Sequence, residues 1–141
     1  MTELEERLYA CLASRRWARA VASGVPAEQA MDSLSDDEWL EAMKAHPRIG
    51  ERGGDAPGTS EGEQSQAMRS ARETLDALAV ENRRYEEKFG HVFLIFASGR
   101  SGEEILSELR RRMSNDPQTE LGEAKRELRQ IALLRLRNMA S

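Results

Sequence analysis

Apolar residues recur along this chain at intervals of three and four, the period of helices that bury one face. "DDEWLEAMKA" (36–45) sets Trp39, Leu40 and Met43 on one side. A longer stretch, from 60 to about 89, carries Leu75, Leu78, Val80 and Tyr85. The last, from Pro117 to about Met139, carries Leu121, Ala124, Leu128, Ile131 and Leu134. Start and stop signals agree with these periods. Thr2 with Glu5, Ser35 with Glu38, Ser60 with Glu63 and Ser101 with Glu104 have capping-box spacing, in which a hydroxyl accepts a free first-turn amide and the acid reaches back. Ser14 opens a short helix that Gly24 and Pro26 stop, and a further piece runs from Pro26 to about Ser33. Asp116 followed by Pro117 opens the last helix. Gly90 is a natural stop for the long one. The helix before His46 ends near Ala45, because the residue preceding a proline is pushed out of the α region.

One segment breaks the period. "VFLIFA" (92–97) is continuously apolar and reads as a short strand or a buried extended stretch, with no second strand pattern to pair with. The expectation is therefore an all-α chain: a single compact multi-helix domain spanning 1–141, with about seven helices. Between the helices, "HPRIGERGGDAPGT" (46–59) holds four glycines and two prolines, too long and irregular for a tight turn. Ordered loops of this length tend to be functional, and this one begins with one of the chain's two histidines.

Composition narrows the partners. With 141 residues, 39% apolar and 33% charged, the profile is that of a soluble globular domain able to bury a core without staples. The net charge of −4 disfavours nucleic acid as a partner, and Arg110-Arg111-Arg112 reads as a solvated helix end. No apolar run approaches the ~18–20 residues of a membrane span, so no membrane partner is expected. Cys11 is the only cysteine, the N-terminus is acidic and unlike a signal peptide, and the C-terminus carries no address tail. The expected location is the cytoplasm.

Most familiar catalytic patterns are missing. Two histidines 45 positions apart make a weak case for zinc, no glycine loop cradles a phosphate, and no serine sits on a nucleophile elbow. What remains is His46 at the loop, "SEGEQ" (60–64) at a helix start, and "HVFLIFA" (91–97). Each also has a plain structural reading: a surface histidine, a helix cap, and core preceded by a polar turn residue, His91. From the residues alone the chain is an all-α protein with a candidate acid–base pair.

The series says more. "HPRIG", then "SEGEQ", then "NRRYEEKFGHVFLIFASGRS", then "RQIALLRLRNM", in this order, closely resembles the 2-oxo-4-hydroxy-4-carboxy-5-ureidoimidazoline (OHCU) decarboxylases of urate degradation. The resemblance implies an all-α homodimer that needs no cofactor or metal. It implies a carboxy-lyase whose small-molecule substrate is OHCU and whose products are (S)-allantoin and CO₂. By motif, His46 matches the catalytic histidine and Glu63 the acidic residue paired with it. Pro47, Ser60 and Gln64 fall on substrate-contacting positions, and Phe93, Leu94, Ile95, Phe96 and Ala97 on the strip lining the pocket. Arg135 matches a family arginine suited to an anion, while Arg48 receives no role. The implied chemistry needs no borrowed electron sink, because the substrate's own ring C=N accepts the electron pair left by CO₂. Histidine suits the proton delivery that follows. Two other readings compete: an all-α binding module that offers its last helix to a protein partner, and an acid–base enzyme for a different small heterocycle.

Overall fold

The computed structural model describes the backbone of residues 1–46 and 61–140, and the side chains of 1–46 and 72–140. Among the described residues there are seven helices and no strand: α1 (Glu3–Cys11), α2 (Arg15–Ala22), α3 (Ala27–Asp32), α4 (Asp36–Met43), α5 (Glu61–Phe89), α6 (Gly102–Arg112) and α7 (Pro117–Ala140). The local signals act as the spacing predicts. Thr2 and Ser14 accept amides of the first turns of α1 and α2. Ser35 with Glu38 and Ser101 with Glu104 form complete reciprocal boxes at α4 and α6. Asp116 Oδ1 accepts the Thr119 amide at 2.8 Å, opening α7. The proposed box of Ser60 and Glu63 lies outside the described residues.

The chain packs as two compact units. The first joins Met1–His46 to Gly122–Ser141. Its buried side chains include Leu8, Leu12, Trp17, Met31, Trp39 and Met43 from the N-terminal helices, and Ala124, Leu128 and Ala132 from α7. Each fully buried leucine here is worth roughly 2 kcal/mol of transfer free energy. Trp17 keeps its indole donor satisfied on the Ala27 carbonyl at 3.0 Å. At the surface, Lys125 pairs with Asp36 at 2.6 Å and Arg129 with Asp32 at 2.7 Å. These exposed pairs set the register of α7 more than they add stability.

The second unit, Pro47–Leu121, has a core of Leu78, Tyr85, Phe93, Ile95, Ile105 and Leu109. Gly90 ends α5 at φ +78°, with its amide on the Glu86 carbonyl at 2.8 Å. That left-handed residue turns the chain into 92–97, which is neither helix nor strand and is buried at its centre. Phe93, Leu94 and Ile95 are almost wholly buried, and Phe96 and Ala97 partly so.

Three details differ from the expected pattern. Val80 is 45% exposed, because two residues past Leu78 a helix has turned to its far side. In α7 the fully buried line is Ala124, Leu128 and Ala132 at four-residue spacing, and Leu121, Ile131 and Leu134 only flank it. Arg112 is not part of a solvated helix end: its side chain is 2% exposed and paired with a fully buried glutamate, Glu120, while Arg110 and Arg111 face solvent.

Candidate active site

His46 sits just past the end of α4. Its amide donates to the Met43 carbonyl at 3.1 Å, continuing the helix hydrogen bonding by one loose turn up to the proline. The side chain is half-buried. Burial, first, and then the positive charge of Arg135 lower its pKa to about 4. Both effects penalise the imidazolium, so the ring is neutral at pH 7. A neutral imidazole has one donor and one acceptor nitrogen, the arrangement required to take a proton on one side and release one on the other.

Arg135 stands on α7, in the same unit as His46. Its Nη1 donates to the Ala10 carbonyl at 3.4 Å, a long contact. The same charge reaches Cys11, whose buried thiol is raised by desolvation and pulled back by Arg135 and Arg7. The first unit thus brings together two residues that the motifs mark separately, 89 positions apart: a neutral histidine and a cation that suits an anion.

The remaining predicted site residues divide in two. Pro47 and Ser60 lie outside the described residues, as do the side chains of Glu63 and Gln64; the backbone of those two belongs to the first turn of α5. Phe93, Leu94, Ile95, Phe96 and Ala97 are described in full within the second unit. Their surroundings hold a feature that the sequence reading missed. Arg112 donates from Nη1 to the Leu94 carbonyl at 2.7 Å and from Nε to Glu120 Oε2 at 2.9 Å. Glu120 also accepts the Tyr85 hydroxyl, and the Asn115 amide at 3.1 Å. The guanidinium lies over the Phe93 ring, 4.5 Å from its centroid, and Tyr85 meets that ring edge-on at 5.3 Å. Desolvation and the hydrogen bond to Glu120 push the Tyr85 phenol far up, so it stays a neutral donor. The eight-residue separation of Arg112 and Glu120 across the "SNDP" turn was the available signal, masked by the two exposed arginines beside it.

His91 packs as a turn residue. Its ring meets Tyr85 edge-on at 5.6 Å and stacks on Phe89 at 6.3 Å, with Nδ1 3.1 Å from the Val92 carbonyl. Among the described residues no group of three or more His, Cys, Asp or Glu side chains is arranged to hold a metal ion. No helix of the described residues is long and apolar enough to cross a membrane.

The sequence model of the OHCU decarboxylase family matches residues 1–137. The chain is 33% identical, over 97% of its length, to the uric acid degradation bifunctional protein TTL of Arabidopsis thaliana, and spans 47% of that protein. It is 32% identical to the 2-oxo-4-hydroxy-4-carboxy-5-ureidoimidazoline decarboxylase of Amia calva, covering 86% of this chain and 78% of that one. Among solved structures, a crystal structure of OHCU decarboxylase in the presence of (S)-allantoin superposes with a TM-score of 0.75 at 32% identity, covering 96% of both chains.

Proposed function

Because this chain belongs to the OHCU decarboxylase family, we propose that it is a carboxy-lyase converting OHCU to (S)-allantoin and CO₂ in urate degradation, without a cofactor. The observation that supports the reading best is the neutral, half-buried His46 under the charge of Arg135. Arg135 attracts the anionic substrate. When the C–CO₂ bond breaks, its electron pair moves into the adjacent ring C=N, whose nitrogen takes a proton from solvent. The product of that step is an enol. His46 then accepts the enol hydroxyl proton on one ring nitrogen, and a proton passes from the imidazole to the former C=N carbon on one face. The hydroxyl carbon becomes the carbonyl of allantoin and the other becomes the (S) centre. The sum is one carboxylate and one proton in, one C–H bond and CO₂ out.

Glu63 is proposed to hold the substrate hydroxyl or orient His46. Ser60 and Gln64 would bond the ureido and ring amides, with Pro47 against the ring. Glu63 and Gln64 belong to the first turn of α5, where free backbone N–H groups favour an anion. The apolar strip 93–97 excludes water, which favours neutral CO₂ over carboxylate. We further propose a homodimer located in the cytoplasm; the family resemblance supports the dimer, and sedimentation of the purified chain at two-protomer mass tests it.

The activity is tested by making OHCU in the cuvette from urate, with urate oxidase and 5-hydroxyisourate hydrolase. Its ultraviolet decay should speed up in proportion to added protein. A decay rate independent of protein concentration would refute the assignment and return the chain to the binding-module reading.

A further inference from the structure

A buried segment outside helix and sheet has to satisfy its backbone by other means, since a buried peptide group without a partner bears the full cost of its lost hydration. Residues 92–97 are in this position: they lie outside every helix, and there is no strand among the described residues. At their centre, where burial is deepest, the Leu94 carbonyl is met by a side chain. Arg112 Nη1 donates to it at 2.7 Å, from a guanidinium that is itself buried. Such an arginine is tolerable only with its charge compensated and its donors used. Glu120 does both, and is in turn held by Tyr85 and Asn115. The Phe93 ring lies against the guanidinium, so side chain and backbone of the segment are fixed by the same group.

This is an expensive way to hold a core. Replacing a buried ion pair by apolar groups of equal volume is often neutral or stabilising, so stability alone is a weak reason for it. A charge-assisted donor with fixed fork geometry supplies a single, directional position for one carbonyl. The peptide unit is planar, so holding the Leu94 carbonyl also holds the peptide plane that joins Leu94 to Ile95.

We propose that Arg112, locked by Glu120, is a positioning residue that sets the backbone of 93–97 for substrate binding. The proposal rests on the decarboxylase reading for its substrate, and on geometry within the second unit for its anchor. It acts on OHCU only through the segment, so the effect belongs in KM more than in kcat.

Arg112→Lys is the discriminating variant. Lysine keeps both charges of the pair but, lacking the fork, no longer serves Glu120 and Leu94 together. The expected result, measured well below its melting temperature, is a KM for OHCU raised on the order of tenfold, with kcat within about threefold. Amides of 93–97 should exchange hydrogen for deuterium faster, with α5 unchanged. Tyr85→Phe removes a bond to Glu120 but leaves Arg112 on Leu94; it should lower the melting temperature with a much smaller KM change. If Arg112→Lys does not fold, the neutral pair Arg112→Gln with Glu120→Gln removes both buried charges at once and is read in the same way. Unchanged exchange in 93–97 would overturn the anchor. Faster exchange with an unchanged KM would overturn its role in binding, as would KM shifts that track melting temperature equally in both variants. A wild-type chain inactive on OHCU would overturn the reaction instead, and the exchange result would still decide the anchor.

Discussion

At the scale of single residues, the proposed chemistry depends on the charge state of His46. Its pKa of about 4, against 6.5 for a free imidazole, has two measurable consequences. In the proposed reaction the working form is the neutral ring. The pH profile of kcat/KM should stay level from pH 8 through 6.5 and fall only towards pH 4–5; a half-fall near 6.5 would contradict a depressed histidine. In stability, the unfolded chain binds more protons than the folded one between pH 6.5 and 4. Stability therefore falls as pH drops through that window, and is unaffected above it. Urea titrations of His46→Asn should show a flatter acid slope over the same interval. The same substitution should leave the helical fold intact and cut turnover by about 10²–10⁴-fold, the usual worth of a positioned acid–base group. Near-normal turnover would make His46 a bystander.

At the scale of elements, the caps were legible because they are local. Ser35 with Glu38 and Ser101 with Glu104 need only a three-residue spacing, and the structure forms both. Gly90 was legible for the same reason, and its φ of +78° makes it testable. Gly90→Ala has open space for its methyl group but the wrong backbone, so it should destabilise by about 1 kcal/mol in urea unfolding. A neutral result would mean that the turn relaxes. What local pattern did not carry was burial of unlike residues. Arg112 looks in sequence like Arg110 and Arg111, and only packing against Phe93 and Glu120 separates it from them. Ala132 escaped notice because an apolar stripe is read by its large side chains, while the α7 line that is fully buried runs through alanines. For the site, the motif series marked His46 and Arg135 individually. Their electrostatic coupling required α7 to return to the end of α4, a tertiary fact that no spacing encodes.

At the scale of the whole molecule, the chemistry proposed draws its electron sink from the substrate. Turnover should therefore survive exhaustive dialysis against a chelator with its rate unchanged; a loss restored by a divalent metal would contradict a cofactor-free reaction. The net charge of −4 is compatible with an anionic substrate because the local field at His46 is set by Arg135, not by the total. The central claim is that His46 relays the proton that sets the handedness of the product. OHCU decays unaided to racemic allantoin, so handedness separates enzyme from background. The decisive measurement is circular dichroism of allantoin formed from OHCU generated in the cuvette, with wild-type protein and His46→Asn side by side. The wild type should give a fast single-handed (S) signal, and the variant a slow, optically silent decay. An equally fast single-handed signal from His46→Asn would contradict that claim.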